Sequence, residues 1–123
     1  TTGKPWLHVN PNYTRINLES QKNDPNSVYN FYRQLIALRK NEAYHETLVY
    51  GQTQPYLAEQ KNLMAYHRKG EKTILVMGNF QPEAQMVALP GEVKKVLMNN
   101  MDHFQVENGA VKMEGYQFLV LEM

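Results

Sequence analysis

The chain has 123 residues, of which 42% are apolar, 20% are charged and none is cysteine. This length fits one domain, or one small domain with part of another, and the lack of cysteine excludes disulfides and thiolate metal sites. Thirteen basic residues against twelve acidic ones, spread without blocks, argue against nucleic acid or an anionic membrane as a partner. Since no stretch of about 20 apolar residues and no signal peptide is visible, we expect a cytoplasmic protein.

The first 26 residues predict an irregular segment. Pro5, Pro11 and Pro25 interrupt any regular element, and no apolar period is sustained. Loops of this length are usually functional or disordered. Disorder is disfavoured by six apolar side chains: Trp6, Leu7, Val9, Tyr13, Ile16 and Leu18. We therefore expect the segment to lie on a protein surface contributed by residues outside this chain.

A single long helix is predicted over 28–40, with Asn26 or Ser27 as its N-cap and its end at Lys40 or Asn41. Apolar residues at helical spacing form its main stripe: Val28, Phe31, Tyr32 and Leu35. Three more widen that stripe: Tyr29, Ile36 and Leu38. The helix is therefore expected to contact protein on more than one side.

From Glu46 onward the sequence consists of short β-rich runs separated by Gly, Pro and Asn, so a boundary is placed between Asn41 and His45. The predicted strands are Thr47–Tyr50, Gln54–Ala58, Leu63–Arg68, Thr73–Phe80, Gln85–Leu89, Val93–Asn99, Gln105–Val106, Val111–Met113 and Gln117–Leu121. Eight or nine short strands favour an antiparallel β-sandwich.

Two hairpins and a central strand stand out within this part. Lys69-Gly70-Glu71 is predicted to join two strands, and Asn108-Gly109 is the strongest turn signal because both residues tolerate positive φ. The continuous apolar run Ile74–Met77 indicates a strand that is buried on both faces.

Catalytic chemistry finds little support in the residues. Glycoside hydrolysis needs two carboxylates, about 5 to 5.5 Å apart in a retaining enzyme. The acids here are scattered over predicted turns and strand ends: Glu19, Asp24, Glu42, Glu46, Glu59, Glu71, Glu83, Glu92, Asp102, Glu107, Glu114 and Glu122. Asp102-His103 resembles part of a triad but lacks a nucleophilic serine on a sharp turn, so we interpret it as a loop. No catalytic residue is predicted.

Binding sites are equally sparse. No metal site is predicted, because no helical or alternating spacing brings together the four histidines: His8, His45, His67 and His103. The glycines form no phosphate loop, and no cofactor is predicted. Six aromatic residues are candidates for a sugar-stacking platform, although core or interface roles are the commoner finding: Trp6, Tyr13, Tyr50, Tyr56, Tyr66 and Tyr116.

Several ordered motifs carry a family resemblance. In the first third these are Thr1–Trp6, Val9-Asn10-Pro11-Asn12-Tyr13, Ile16-Asn17, Asp24–Val28 and Tyr32–Lys40. Downstream they are Leu48–Gly51, Ala65–Arg68, Ile74–Phe80 and Val106–Gly109. Together they resemble the carboxy-terminal part of bacterial α-glucosidases of the oligo-1,6-glucosidase group, within the α-amylase family (glycoside hydrolase family 13).

The resemblance implies a (β/α)8 barrel whose active site lies at the carboxyl ends of its strands. Residues 1–41 would be the loop after strand eight and the last barrel helix, and 42–123 the C-terminal β-sandwich domain. The family's aspartate nucleophile, glutamate acid/base and second aspartate would all precede Thr1. No catalytic or substrate-binding residue is therefore assigned in this chain, and packing is the expected role of Trp6 and Arg15.

The leading hypothesis is the non-catalytic end of a retaining α-glucosidase acting on short α-linked gluco-oligosaccharides through the missing barrel. Trehalose-6-phosphate hydrolysis or sucrose isomerisation would require a change only in that barrel. The alternative is an autonomous carbohydrate-binding or interaction module, since the β-part is self-sufficient in pattern. Without a barrel, the apolar helix is expected to dock on the chain's own sandwich or to self-associate.

Overall fold

The chain divides into two units, and the boundary in the sequence lies between Gln34 and Leu35. The computed structural model describes residues 2–123, so Thr1, the first residue of the predicted segment 1–41, lies outside it. The predicted division into 1–41 and 42–123 stays a prediction. Within 2–123, no helix is long and apolar enough to cross a membrane.

From Thr2 onward, the first unit contains two short helical elements that the sequence did not predict. A 3₁₀ turn, Pro11–Thr14, begins where the Asn10 side chain accepts a hydrogen bond from the Asn12 amide at 3.1 Å. Helix α1, Leu18–Lys22, begins where the Asn17 side chain accepts from Ser20 N at 2.9 Å. Both are fixed by asparagine caps and not by an apolar period, which is why periodicity missed them.

Helix α2, Val28–Lys40, has the predicted bounds. Of the two predicted N-caps, Ser27 has the capping contact, since its Oγ accepts a hydrogen bond from Asn30 N at 3.2 Å. None of the helix residues is buried, and Val28, Tyr32 and Ile36, four residues apart, are each more than half exposed. The expectation that α2 contacts protein on several sides stays a prediction.

Helix α3, Glu42–His45, and a π-helical turn, Glu46–Tyr50, lie in the second unit. The predicted strand Thr47–Tyr50 is therefore wrong. Asn41 starts the helical course by accepting from the Ala43 amide at 3.0 Å, and the amide of Gly51 closes it on Thr47 O at 3.1 Å. Thr47, a β-branched residue of the type that favours strands, is buried in this turn at 1% exposure.

Within the described residues 2–123, eight strands form two antiparallel sheets, which confirms the mainly β prediction. The strands are β1 Gln52–Pro55, β2 Leu63–Lys69, β3 Thr73–Asn79, β4 Gln85–Ala88, β5 Lys95–Asn99, β6 Val106–Glu107, β7 Ala110–Met113 and β8 Phe118–Glu122. The larger sheet has the order β1-β2-β3-β8-β5 and the smaller sheet β4-β7-β6. Every strand pair in both sheets is antiparallel.

The hydrophobic core lies between the two sheets. The larger sheet contributes Leu75 and Met77 from β3 with Leu119 and Leu121 from β8, and the smaller sheet contributes Val87, Val111 and Met113. All seven side chains are fully buried. This shared core makes the pair of sheets a sandwich, as predicted. The run Ile74–Met77 is also buried throughout, which confirms its central position.

Both predicted hairpins are present. Lys69 pairs with Thr73 at the end of β2 and β3, while Asn108 and Gly109 have φ of 49° and 74° in the turn between β6 and β7. Several strand ends shift by one to three residues. The predicted strand Gln54–Ala58 is replaced by Gln52–Pro55, because Leu57 has a φ of 49° that leaves extended backbone.

Candidate functional site

Two carboxylates of the described chain have a shifted pKa, and both shifts are downward. The hydrogen bond from Lys72, followed by that from Tyr44, lowers the pKa of Glu122. The hydrogen bond from Lys112 lowers the pKa of Glu114. The general acid of a glycosidase needs the opposite, a raised pKa. Neither carboxylate therefore has an environment that suits a general acid. That this chain contains no catalytic residue stays a prediction.

Asp102 and His103 lie in the loop between β5 and β6, as predicted. His103 Nε2 is 3.8 Å from Glu114 Oε1, while its backbone oxygen accepts from Asn99 Nδ2 at 2.8 Å and Gln117 Nε2 at 3.1 Å. These contacts give the loop a structural role. Over residues 2–123, no three His, Asp or Glu side chains are grouped to hold a metal ion.

His67 is the most enclosed histidine, at 7% exposure on β2. Its ring meets Tyr56 edge-on at 5.0 Å between centroids, and its Nδ1 is buried without a hydrogen-bond partner. Burial, helped by the charge of Lys69, lowers the pKa of His67, so the imidazole is neutral at pH 7. It lines an open cleft of about 430 Å³ with Lys69, Thr73, Pro90, Gly91, Glu92, Lys94 and Met123.

The six aromatic candidates for sugar stacking lie on separate segments. Trp6, at 92%, is the most exposed, and Tyr13, Tyr50 and Tyr116 are also exposed. Tyr56 packs against the core of the sandwich, and its hydroxyl donates a hydrogen bond to Ala88 O at 2.9 Å. The sixth residue, Tyr66, is half-buried on β2. The arrangement does not single out one stacking row.

A compact polar contact attaches α3 and the π turn to the larger sheet. We call it the α3 junction and define it by Tyr44, Thr47, Lys72 and Glu122. Tyr44 Oη donates to Glu122 Oε2 at 3.0 Å, and Lys72 Nζ donates to Glu122 Oε1 at 2.8 Å. The Thr47 hydroxyl accepts from Lys72 N at 3.2 Å. The Lys72 ammonium also lies 5.4 Å from the centre of the Tyr44 ring.

Two glycines permit the close approach at this junction. A Cβ on Gly51 would lie 2.3 Å from Thr47 O, and one on Gly70 would lie 3.0 Å from Thr47 Oγ1. Sequence reasoning missed the junction because its partners Tyr44 and Glu122 are 78 residues apart. Gly51 and Gly70 were visible in the sequence, but a single glycine does not indicate which residue packs against it.

Two arginines hold the carbonyl groups of the π turn. Arg39 donates to Leu48 O and Arg68 to Val49 O, each at 3.2 Å, and Arg68 also bonds the Thr53 hydroxyl. These groups border a cleft of about 440 Å³ on the outer face of the larger sheet, lined by Arg39, Leu48, Val49, Thr53, Tyr66, Arg68 and Val76. The arginines thus supply partners that the turn's own backbone lacks.

Two family models divide the chain along these elements. Residues 1–51 match the alpha amylase catalytic domain, and residues 63–120 match the alpha-amylase SusG C-terminal domain. The oligo-1,6-glucosidase of Bacillus cereus is 34% identical over 100% of this chain and 22% of its own length. That of Parageobacillus thermoglucosidasius is 36% identical over 87% of this chain and 19% of its own. The chain belongs to the α-amylase family, glycoside hydrolase family 13.

Solved structures of this family share the fold. An isomaltulose synthase mutant from Erwinia rhapontici NX5, in complex with D-glucose, superposes with a TM-score of 0.87 at 35% identity, covering 99% of this chain and 22% of the synthase. The chain therefore spans about a fifth of the length of the relatives it matches. The α3 junction joins a segment that matches the family's catalytic domain to one that follows its C-terminal domain match.

Proposed function

We propose that this chain is the C-terminal, non-catalytic portion of a retaining α-glucosidase that hydrolyses short α-linked gluco-oligosaccharides. The observation that carries the proposal is the α3 junction. There, Tyr44, within the catalytic-domain match, donates a hydrogen bond to Glu122 at the end of the sandwich. The sandwich would in this way hold α3, the element that follows the last helix of a catalytic barrel belonging to the same polypeptide.

The proposal separates a catalytic part of the parent enzyme from a supporting part. The catalytic carboxylates implied by the family resemblance would precede Thr1, and substrate would bind through that barrel. The role of the described residues is to fix α3 and the π turn through Lys72, Glu122 and Arg68. A rigid scaffold beneath the barrel keeps catalytic groups in their reactive geometry.

The test compares the complete gene product with the 123-residue chain. Both are incubated with isomaltose, isomaltotriose, maltose, sucrose and trehalose 6-phosphate, and products are followed by NMR to read the anomeric configuration. The complete product should release α-glucose with retention, and the 123-residue chain should release none. A complete product that is inert on every α-glucoside, or an active 123-residue chain, would overturn the proposal.

A second candidate, an autonomous carbohydrate-binding module, is favoured by the complete core of the second unit. Calorimetric titration of the chain with maltose, isomaltose and longer glucans separates the two. Saturable binding would support the module, and no heat of binding would remove it. A cytoplasmic location is part of the main proposal, and fractionation of the source cells tests it.

A further inference from the structure

The turn between β6 and β7 consists of an asparagine followed directly by a glycine. Glu107 pairs with Ala110, so Asn108 and Gly109 are the two residues of the turn. Their φ angles of 49° and 74° both lie in the left-handed region that type I′ hairpin turns require. Both residues are exposed, and a Cβ placed on Gly109 would have no atom within 4 Å. The space beside Gly109 is therefore open to water.

These two residues carry the groups that form a cyclic imide. When the backbone nitrogen of Gly109 attacks Cγ of Asn108, the N–Cγ bond forms, the Cγ–Nδ2 bond breaks, and the proton of the attacking nitrogen leaves with the amide as ammonia. Glycine favours this step, because it has no side chain to hinder its nitrogen and its backbone is unusually free. Water then opens the succinimide ring. Addition at Cγ gives aspartate, and addition at the backbone carbonyl carbon gives isoaspartate, whose main chain runs through Cβ and Cγ.

The position of the turn in the fold allows the rearrangement that ring closure needs. Strand β6 has two residues, Val106–Glu107, and both are exposed. It lies at the edge of the smaller sheet and pairs with β7 alone. Because a short edge strand buries little surface, it opens locally at a small cost in free energy. Asn108 Cγ can therefore reach the nitrogen of Gly109 without unfolding of the sandwich.

The other asparagines lack this combination. Asn108 is the one asparagine in the sequence that glycine follows. Asn62 is the matched comparison, since it is exposed and has a φ of 58°. However, Leu63 follows it, and its Nδ2 donates a hydrogen bond to Gln81 Oε1 at 2.9 Å. The same backbone region is thus present at Asn62 without an unhindered nitrogen beside it.

We propose that Asn108 is a site of spontaneous deamidation, and that the isoaspartate formed there releases β6 from β7. This goes beyond the proposed function and does not depend on it. Isoaspartate adds one methylene group to the main chain of a two-residue turn, so Glu107 and Ala110 lose their register. The hydrogen bond from Leu89 N to Gly109 O, at 2.8 Å, is lost with it. The core is retained, because β7 remains paired with β4.

The test ages two folded proteins, the complete gene product and the 123-residue chain, in a mildly alkaline buffer. Peptide mass spectrometry follows the exchange of carboxamide for acid at Asn108 and Asn62, and reversed-phase chromatography separates the aspartate and isoaspartate peptides. In both proteins, conversion at Asn108 should be at least about tenfold faster than at Asn62, because the attacking nitrogen is unhindered and the turn opens easily. Both product peptides should appear, with isoaspartate in excess.

Two variants separate the effect of isoaspartate from ageing and from charge. Asn108→Gly keeps a turn that accepts positive φ at both positions but removes the carboxamide. Amide hydrogen exchange at Leu89 should accelerate about tenfold in the aged chain and stay unchanged in aged Asn108→Gly. Freshly prepared Asn108→Asp carries the new charge without the additional methylene group, so it should also leave exchange at Leu89 unchanged. Amides of β3 and β8 should keep their protection in all samples.

Each remaining outcome counts against the proposal. An intact Asn108 in either folded protein, or conversion only after unfolding in urea, would overturn the site. Aspartate as the sole product would overturn the succinimide route, since direct hydrolysis of the carboxamide gives no isoaspartate. Unchanged exchange at Leu89 after conversion would overturn the release of β6. Equal acceleration in aged Asn108→Gly would do the same, because the cause would then lie elsewhere in the chain.

Discussion

The two units of the chain differ in how far their apolar side chains are buried. In the second unit, seven side chains from both sheets are fully buried in one core. In the first unit, Tyr29 and Phe31 are partly buried, whereas the other large apolar side chains that the structure describes are exposed by about half or more: Trp6, Leu7, Val9, Tyr13, Ile16, Leu18, Val28 and Tyr32. The second unit therefore has its own hydrophobic stabilisation, and the first has very little.

Local polar contacts hold the first unit together instead. Asn30 Nδ2 donates to the carbonyl oxygens of Gln21, Lys22 and Asp24, and the Gln21 side chain accepts from Tyr29 N at 3.0 Å. Such bonds select a turn geometry but bury little surface, and short helices without packing are marginal in water. The first unit therefore has a defined local structure but little hydrophobic stabilisation of its own. In the proposed function, contacts with the catalytic barrel would stabilise it.

Removing a core side chain should have the largest effect on this comparison. Leu119→Ala deletes part of a fully buried side chain between the sheets, and we expect a loss of about 2–5 kcal/mol in the free energy of unfolding. Trp6→Ala is the control in the first unit, where the side chain is 92% exposed, and it should change stability by no more than about 0.5 kcal/mol. Urea unfolding measures the free energy of unfolding of both variants. Equal losses would contradict the difference in hydrophobic stabilisation between the two units.

The next largest effect is expected where α3 and the π turn approach the larger sheet. Gly51→Ala places a Cβ 2.3 Å from Thr47 O and 2.8 Å from Lys69 O, so backbone must shift at a cost of about 1–3 kcal/mol. Gly91→Ala is the matched control, because a Cβ there has no atom within 4 Å. Thermal unfolding should separate the two variants. Identical midpoints would show that the backbone of the π turn shifts without a measurable loss of stability.

A smaller and local effect is expected in the first unit. Ser27→Ala removes the hydroxyl that accepts from Asn30 N and donates to Gln21 O at 2.7 Å, and loss of such a cap costs about 1 kcal/mol. Amide hydrogen exchange at Asn30 and Phe31 should accelerate, while the sandwich core keeps its protection. The exposed Thr14→Ala should leave these rates unchanged. Faster exchange throughout β3 and β8 would contradict a local effect of the cap.

The sandwich was accessible to sequence reasoning because its signals are local. The apolar run Ile74–Met77 became the buried centre of the larger sheet, and Asn108-Gly109 became the predicted turn with positive φ. Alternation in a strand reports which face is buried. Helix α2 was predicted for the same reason, since its apolar period and Ser27 cap are contiguous in the sequence.

Features that depend on distant partners were not accessible. Thr47–Tyr50 has strand composition, yet it forms a π turn because Arg39 and Arg68 bind its carbonyl groups and Thr47 meets the turn after β2. Tertiary contacts of this kind override the strand propensity of the residues. The role of Glu122 was equally hidden, since nothing near it in the sequence indicates Tyr44 or Lys72 as partners.

The smallest predicted effect is the pH dependence of the α3 junction. Lys72 lowers the pKa of Glu122 from its ordinary 4.5, so the carboxylate stabilises the fold above about pH 4.5 and loses this contribution as pH falls through the lowered pKa. The Glu122 hydrogen bond raises the pKa of Lys72 from 10.5, so its contribution is present below that pH and is lost as pH rises through the raised value.

Glu122→Gln should therefore lower the unfolding midpoint near pH 7, and the difference from the unchanged chain should shrink as pH falls below about 4.5. Denaturation at a series of pH values measures this difference. Glu59→Gln, at an exposed position outside the junction, is the control and should leave the midpoint unchanged. If the Glu122→Gln difference stayed constant down to the acid limit, it would come from altered packing of the junction and not from its charge.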